Sequence, residues 1–210
     1  MSKLLLARHG NTFGPGDKIV WVGAGEDYPL VEKGEAQAAA LGHALQAAGI
    51  TLDRIITGPL IRTRRACEII AELIGFDGEI EIDERLKEIN YGSWGGKSCD
   101  EIIEDFGEEA HTTWNTHHKR PAGSDWSPAE DLVKANALSV MQDAAATDGL
   151  ALVLTSNGVL RYMYGALGGV EADVKVKTGN ICVAEISGDG GERVVWNEKP
   201  SVDVVKRGLG

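Results

Sequence analysis

The amino-acid sequence predicts an α/β protein, a three-layer α/β/α sandwich built around a mostly parallel central sheet. Two observations lead to this fold class. Short apolar runs of the kind found in buried strands alternate along the chain with longer segments of helical composition. The 210 residues also suffice to bury one sizeable core. We therefore expect a single domain that spans residues 1–210.

The first part of the chain starts with a strand that ends in charged residues. Residues 4–7 form an apolar run followed by Arg8-His9-Gly10, which is typical of a buried strand that feeds a loop. The Gly- and Pro-rich residues 11–29 predict a long loop. The next segments alternate, with a helix expected over 31–48, a strand over 54–57, a helix over 60–74 and a short edge strand over 79–82.

Between residues 83 and 122 the character of the sequence changes. A loop that contains Gly92, Gly95 and Gly96 is followed by polar segments of helical composition. We expect this segment to form a small helical cap inserted over the sheet.

The last part of the chain returns to alternating elements. Residues 150–154 are the most apolar run, and they predict a central strand that ends at Thr-Ser-Asn-Gly. From Asn197 onward the tail is polar, and we assign it no helix or strand. The other elements expected here are helices over 128–146 and 159–167 and strands over 180–186 and 193–196.

Charge and cysteine content argue against several classes of function. The net charge of -11 and the pI near 4.9 create a field that repels nucleic acids and anionic membranes. Three cysteines without CxxC spacing favour free thiols over a disulfide framework or a zinc site. The apolar run near the N-terminus is too short for a signal peptide or a membrane span. We therefore expect a cytoplasmic protein without nucleic-acid or membrane partners, and a homodimer stays open.

Polar residues follow two of the predicted strands at the point where each strand ends. Ligands of open α/β sheets bind beyond the carboxyl ends of parallel strands. If the strands over 4–7 and 150–154 are neighbours, Arg8, His9, Ser156 and Asn157 converge on one site. The sequence therefore places its first candidate site at this edge of the sheet.

Two further segments carry candidate residues for an anion site. Arg62, Arg64 and Arg65 open the second predicted helix, at the end where the helix dipole and free amides favour anions. Basic residues are unfavourable there unless an anion neutralises them, and Arg62 is the best candidate because the other two suit a solvated face. Glu88 precedes the Gly-rich loop, where a carboxyl group could donate a proton.

Four segments of the chain, in the same order, resemble the signature motifs of one family. They are LLLARHGNT, DYPLVEKGEAQAAALG, TGPLIRTRRACEII and LKEINYGSWGG. Together they resemble the histidine phosphatase (phosphoglycerate mutase-like) superfamily over residues 4 to about 186. Four ordered matches are far more specific than any single motif. The resemblance implies a phosphoglycerate mutase-like fold and no cofactor.

The resemblance also implies a role for each matching residue. His9 is the expected nucleophile, which takes up a phosphoryl group as phosphohistidine, and Glu88 is the expected acid that protonates the leaving oxygen. Arg8 and Arg62 are expected to clamp the phosphoryl oxygens through their planar guanidinium groups, and Asn11 to add a polar contact. This scheme requires no metal ion. The substrate it implies is a small phosphomonoester.

One position departs from the family pattern. The second histidine of the family normally lies in a Ser-His-Gly triplet, and here the triplet is Ser156-Asn157-Gly158. Asn157 still supplies a hydrogen-bond donor for phosphate, but it carries no positive charge. Arg161, one helical turn further on, is a candidate to compensate, as are the cap histidines His111, His117 and His118.

We expect hydrolysis of a small phosphomonoester, and two alternatives stay open. The first is a catalytically weakened or silenced member of the family that holds a phosphorylated ligand without turnover, which Asn157 favours. The second is a phosphotransferase of the phosphoglycerate mutase type, which would need a long C-terminal segment where this chain has a short polar tail.

Overall fold

A computed structural model describes residues 2–146, 149–169, 174–188 and 190–210. The strands are β1 (Ser2–Arg8), β2 (Arg54–Thr57), β3 (Ile80–Ile82), β4 (Ala151–Thr155), β5 (Ile181–Ser187) and β6 (Gly190–Glu198). They form one mixed sheet in the order β3-β2-β4-β1-β5-β6. The pairs among β1 to β4 are parallel, whereas β5 runs antiparallel to both β1 and β6. The predicted edge position of β3 and central position of β4 are confirmed.

Helices lie between most of the consecutive strands. They are α1 (Glu32–Ala48), α2 (Ile61–Ile74), α3 (Cys99–Phe106), α4 (Glu108–Asn115), α5 (Glu130–Ala145), α6 (Asn157–Ala166) and α7 (Val202–Leu209). Short 3₁₀ turns lie at Glu84–Leu86 and Gly92–Trp94. None of the helices in the described ranges is long and apolar enough to cross a bilayer.

The core lies on both faces of the sheet, because successive strand residues point in opposite directions. Leu4 and Leu6 of β1 pack on one face with residues of α5 and α6. Leu5 and Ala7 pack on the other face with residues of α1, α2 and α7. Burial on both faces explains why β1 and β4 appear as continuous apolar runs rather than alternating ones. The expected three-layer α/β/α sandwich is confirmed.

The C-terminal tail differs from the prediction, since it contains α7. Ser201 begins this helix by accepting a hydrogen bond from the Val204 N–H at 3.2 Å. Val204 and Val205 are buried, and the helix packs against α1 and β6. The assignment of a polar tail without a helix was therefore wrong. Three of the four residues 202–205 are valines that form an apolar face. The segment is too short for this face to show a clear helical period in the sequence.

Residues 83–122 contain the two 3₁₀ turns, α3 and α4. A capping box starts α3, in which the Glu101 N–H donates to Ser98 Oγ and the Ser98 N–H donates to a Glu101 carboxylate oxygen. Trp94 and Trp114 of this segment pack edge-to-face on Trp126, with ring centroids 4.9 and 5.1 Å away. The segment is thus anchored by aromatic rings rather than by a strand in the sheet.

Candidate active site

His9 follows directly after β1, at the carboxyl end of the strand. Arg8 pairs with Thr155 of β4, and the His9 N–H donates to the Thr155 carbonyl at 3.1 Å. The neighbouring Gly10 is required for packing, because a Cβ there would lie 2.2 Å from the carbonyl oxygen of Gly34 in α1. The glycine of the Arg-His-Gly motif therefore allows α1 to pack closely against this loop.

The imidazole of His9 is held in one tautomer. Its Nδ1 lies 2.7 Å from the carbonyl oxygen of Gly10, and because a carbonyl only accepts, Nδ1 must carry the proton. Nε2 therefore keeps its lone pair. Burial, followed by the charges of Arg8 and Arg62, holds the pKa of His9 well below its usual value. With 7% of its surface exposed, His9 is a buried imidazole that its lowered pKa keeps neutral.

Two arginines next to His9 donate hydrogen bonds to backbone carbonyls. Arg62, in the first turn of α2 and 2% exposed, donates to Gly23 O at 2.7 Å and to Glu26 O at 3.2 Å. Arg8 donates from Nη1 to Val176 O at 2.6 Å, while its Nε is buried without a partner among the described residues. Burial lowers the pKa of both, that of Arg8 to about 10, so both stay charged at neutral pH.

The three arginines at the start of α2 separate as the sequence suggested. Arg65 is exposed and forms an ion pair with Glu35 at 2.8 Å, so it belongs to a solvated face. Asp27, from the long loop, accepts the Ile61 N–H at 2.8 Å and lies 3.9 Å from Arg62 Nη1. The Asp27 carboxylate therefore caps the N-terminus of α2, because the side chain of the residue that precedes the helix forms no capping hydrogen bond. Arg62 alone of the three turns inward.

Glu88 lies opposite the start of α6. Its Oε1 accepts the N–H of Ile89 at 2.9 Å, and its Oε2 accepts the N–H of Gly158 at 3.2 Å. A Cβ on Gly158 would stand 2.2 Å from Oε1, so the carboxyl group reaches the helix only because this residue is glycine. Among neighbouring charges, Glu88 acts most strongly on both Arg8 and Arg62. The carboxyl group and the two guanidinium groups therefore share one buried region.

The two asparagines of the candidate site are each fixed by one hydrogen bond. Asn157, the first residue of α6, accepts the Val176 N–H on Oδ1 at 2.9 Å, which leaves its Nδ2 as a donor. Because the Val176 carbonyl also accepts from Arg8, this one peptide segment positions both side chains. Asn11 Oδ1 accepts a hydrogen bond from the Thr178 hydroxyl, and Nδ2 of Asn11 likewise remains as a donor. The structure thus brings Asn157 beside Arg8 and Glu88, and it ties Asn11 to the neighbouring loop.

Tyr91 and Lys175 adjoin the site and were not singled out from the sequence. A Cβ on Gly158 would lie 2.9 Å from the hydroxyl oxygen of Tyr91, so that hydroxyl is next to the Glu88 carboxyl group. Burial and then the charge of Glu88 raise the pKa of Tyr91 well above its usual value. Lys175 bonds to Asn115 at 3.2 Å in a loop without regular structure, and no sequence signal marks it.

The residues expected to compensate for the absent positive charge of Asn157 lie in different surroundings. Arg161 is 5% exposed, and its Nη1 donates to Trp114 O and to Nδ1 of His118 at 2.9 Å. His111 packs on Trp21 at a centroid distance of 6.2 Å, and His117 is exposed. In the described ranges, no group of three or more His, Cys, Asp or Glu side chains could hold a metal ion.

The chain matches a known protein family over most of its length. Residues 4–199 match the family described as Histidine phosphatase superfamily (branch 1). A 2,3-bisphosphoglycerate-dependent phosphoglycerate mutase of Mesorhizobium japonicum is 29% identical over 177 residues, which cover 83% of this chain and 85% of the relative. A probable phosphoglycerate mutase of Salmonella paratyphi B is 32% identical over 161 residues, 76% of this chain and 71% of the relative.

Solved structures show the same fold. A mycobacterial glucosyl-3-phosphoglycerate phosphatase has a TM-score of 0.77 at 20% identity, over 95% of this chain and 100% of that one. YhfR from Bacillus stearothermophilus has a TM-score of 0.75 at 27% identity, over 94% of this chain and 98% of that one. The fold is therefore phosphoglycerate mutase-like, and the chain belongs to the histidine phosphatase superfamily.

Proposed function

We propose that this protein is a phosphatase that hydrolyses a small phosphomonoester through a phosphohistidine on His9, without a metal ion. The observation that carries the proposal is the state of His9, a buried neutral imidazole whose Nδ1 bonds to Gly10 O and whose Nε2 keeps its lone pair. Two charged arginines and a carboxyl group share its surroundings. A nucleophile, an anion clamp and a proton donor are the groups that phosphoryl transfer to a side chain needs.

In the first step, Nε2 of His9 attacks phosphorus and the ester P–O bond breaks. Glu88 enters this step as the carboxylic acid and gives its proton to the leaving oxygen, so that an alcohol departs. Arg8 and Arg62 bind the phosphoryl oxygens, and their charges offset the charge of the transferring group. Nδ2 of Asn157 donates a further, uncharged hydrogen bond.

In the second step, water attacks the phosphohistidine. Glu88, now the carboxylate, takes a proton from this water while the P–N bond breaks, and the electron pair returns to Nε2 of His9. Inorganic phosphate leaves, and His9 and Glu88 return to their starting protonation states. The Nδ1 bond to Gly10 O holds the imidazole in the reactive tautomer throughout.

Residues 83–122 are proposed to act as a cap over this site. Trp114 of α4 contacts Arg161, and Tyr91 follows Glu88 within the same segment. Such a segment would limit the access of water and shape the space for the leaving alcohol. Mutase-type transfer to a second substrate hydroxyl would use the same first step, and the two relatives described above carry that name.

The test is incubation with a small phosphomonoester labelled in its phosphoryl group. We expect acid-labile label on the protein, release of inorganic phosphate, and loss of both in the His9→Ala variant. Label without phosphate release in water, but with transfer to an added hydroxy compound, would favour the mutase. Phosphate binding with neither label nor turnover would establish the silenced alternative.

A further inference from the structure

Thr155, the last residue of β4, bonds to two parts of the site at once. Its carbonyl oxygen accepts the His9 N–H at 3.1 Å, and its hydroxyl donates to the carbonyl oxygen of Leu86 at 2.7 Å. Leu86 lies two residues before Glu88 in the chain. One residue of the central sheet therefore joins the segment that carries the expected nucleophile to the segment that carries the expected proton donor.

The hydrogen bond between Thr155 and Leu86 is closed to water. Thr155 is 0% exposed and Leu86 is 1% exposed. The Leu86 carbonyl also lies against backbone, because a Cβ on Gly58 would stand 2.7 Å from its oxygen. Branching at Cβ restricts the rotamers of threonine, so the hydroxyl has a fixed direction. Loss of the hydroxyl would leave the Leu86 carbonyl buried without this donor, and the chain before Glu88 would shift to recover a partner.

The carboxyl group of Glu88 is attached to the same part of the sheet. Its Oε2 accepts the N–H of Gly158, three residues after Thr155, at 3.2 Å. The backbone before Glu88 and the carboxylate itself are thus both bonded to the end of β4, next to the strand that leads to His9. General acid–base catalysis needs the carboxyl group within hydrogen-bond reach of the oxygen that it protonates. A displacement of about 1 Å can cost about 10²-fold in rate.

We propose that Thr155 is a positioning residue, whose hydroxyl sets the place of the Glu88 carboxyl group relative to His9. The inference rests on the proposed function, because it assigns proton transfer to Glu88. Thr155 takes no part in proton or phosphoryl transfer and acts only through the position of Glu88. Its hydroxyl therefore matters for the steps that need Glu88, and it does not matter for a step that needs no proton.

The test is the rate of phosphorylation in Thr155→Val, measured by rapid mixing with two substrates. Valine keeps the branched shape of threonine and removes the hydroxyl. With propyl phosphate, whose alcohol must be protonated as it leaves, phosphorylation of His9 should slow by about 10- to 100-fold. With p-nitrophenyl phosphate, whose nitrophenolate leaves without a proton, the same step should stay within about 2-fold of the wild-type rate. A general disturbance of the fold would slow both substrates alike.

Rescue and coupling distinguish positioning from packing. Thr155→Ser restores the hydroxyl and should return the propyl phosphate rate to within about 3-fold of wild type. In a Glu88→Gln background, Thr155→Val should cause no further loss, because effects of residues that act through one group are not additive. The matched control is Thr57→Val, since Thr57 is also 0% exposed at a strand end but its hydroxyl donates to the adjacent Gly58 O at 3.3 Å. That control should keep both rates.

The amide resonance of Ile89 provides a readout that is independent of turnover, because this N–H donates to Oε1 of Glu88 at 2.9 Å. Thr155→Val should shift the resonance, whereas Thr155→Ser and Thr57→Val should leave it near its wild-type position. If Thr155→Val does not fold, Thr155→Ala takes its place in the same measurements.

Equal slowing of both substrates, a loss that serine does not restore, or an additive loss in the Glu88→Gln background would overturn the role of Thr155. The proposed hydrolysis is judged separately by the labelling experiment. A protein whose Ile89 resonance responds to Thr155→Val, but which shows neither label nor turnover, keeps the positioning role and loses the phosphatase. A protein that hydrolyses both substrates at the same rates with and without the Thr155 hydroxyl keeps the phosphatase and loses the positioning role.

Discussion

The Glu88 carboxyl group serves both steps of the proposed reaction, and the two steps depend on it differently. The first needs an acid only when the leaving group is a poor one, whereas the second always needs a base. Glu88→Gln should therefore phosphorylate normally with p-nitrophenyl phosphate but release phosphate about 10²- to 10⁴-fold more slowly. Rapid mixing should show a burst of nitrophenol close to one equivalent per protein.

The reaction of Glu88→Gln with an alkyl phosphate serves as the comparison. With propyl phosphate the burst should be absent, because the first step now needs the missing acid. A Glu88→Gln protein that turns over both substrates at the wild-type rate would remove Glu88 from the mechanism.

Gly158 determines how closely Glu88 approaches α6. A methyl group at this position would stand 2.2 Å from Oε1, so Gly158→Ala must displace the carboxyl group from its two N–H donors. We expect kcat to fall by about 10²-fold or more, in the range of a lost general acid. Gly165→Ala is the control in the same helix, since a Cβ there meets nothing within 4 Å. That variant should keep full activity, and equal losses in both would mean that α6 tolerates no substitution.

At the scale of elements, the junction of β4 and α6 positions Asn157, the proposed uncharged donor to phosphate. Asn157→Asp keeps the Oδ1 acceptor for the Val176 N–H but replaces the Nδ2 donor with a negatively charged oxygen. We expect the junction to remain folded and the Kd for inorganic phosphate to rise about 10- to 100-fold, because a hydrogen bond from a neutral amide is replaced by repulsion between two negative charges. Calorimetry measures this directly, and unchanged phosphate affinity would place Nδ2 outside the anion site.

Most elements could be predicted from the sequence because their signals are local. The runs that form β1 and β4 are apolar on both faces, and Gly49 and Gly75 end α1 and α2 with positive φ angles of 69° and 67°. Helix α7 could not be predicted in this way, because its stability comes from packing on α1 and β6. The N-terminus of α2 depends on Asp27, a residue 34 positions away from the amide that it caps.

At the scale of the whole molecule, the buried His9 links stability to pH. The folded protein holds the pKa of His9 well below 6.5, mainly through burial and then through Arg8 and Arg62. Below that pH the unfolded chain binds a proton that the folded chain does not, so the unfolding free energy falls as the pH falls. The loss is about 1.4 kcal/mol per pH unit until the folded pKa is reached.

Denaturant unfolding at several pH values, in buffers without phosphate, checks this expectation. His9→Asn should show a shallower decline between about pH 7 and pH 5, because the titrating group is gone. Carboxylates elsewhere contribute equally to both proteins, so the difference between the two curves isolates His9. Parallel curves would mean that His9 titrates normally in the folded protein.

The sequence by itself determined the α/β class and most of the elements, and it singled out the candidate site residues His9, Arg8, Arg62, Glu88 and Asn157. It could do so because apolar runs, helix ends and ordered motifs are properties of neighbouring residues. Only the tertiary structure decided that Asn157 and Arg8 share Val176, and that Gly158 admits Glu88. These relations connect residues far apart in the chain, and packing of the layers, rather than any local pattern, sets the distances between them.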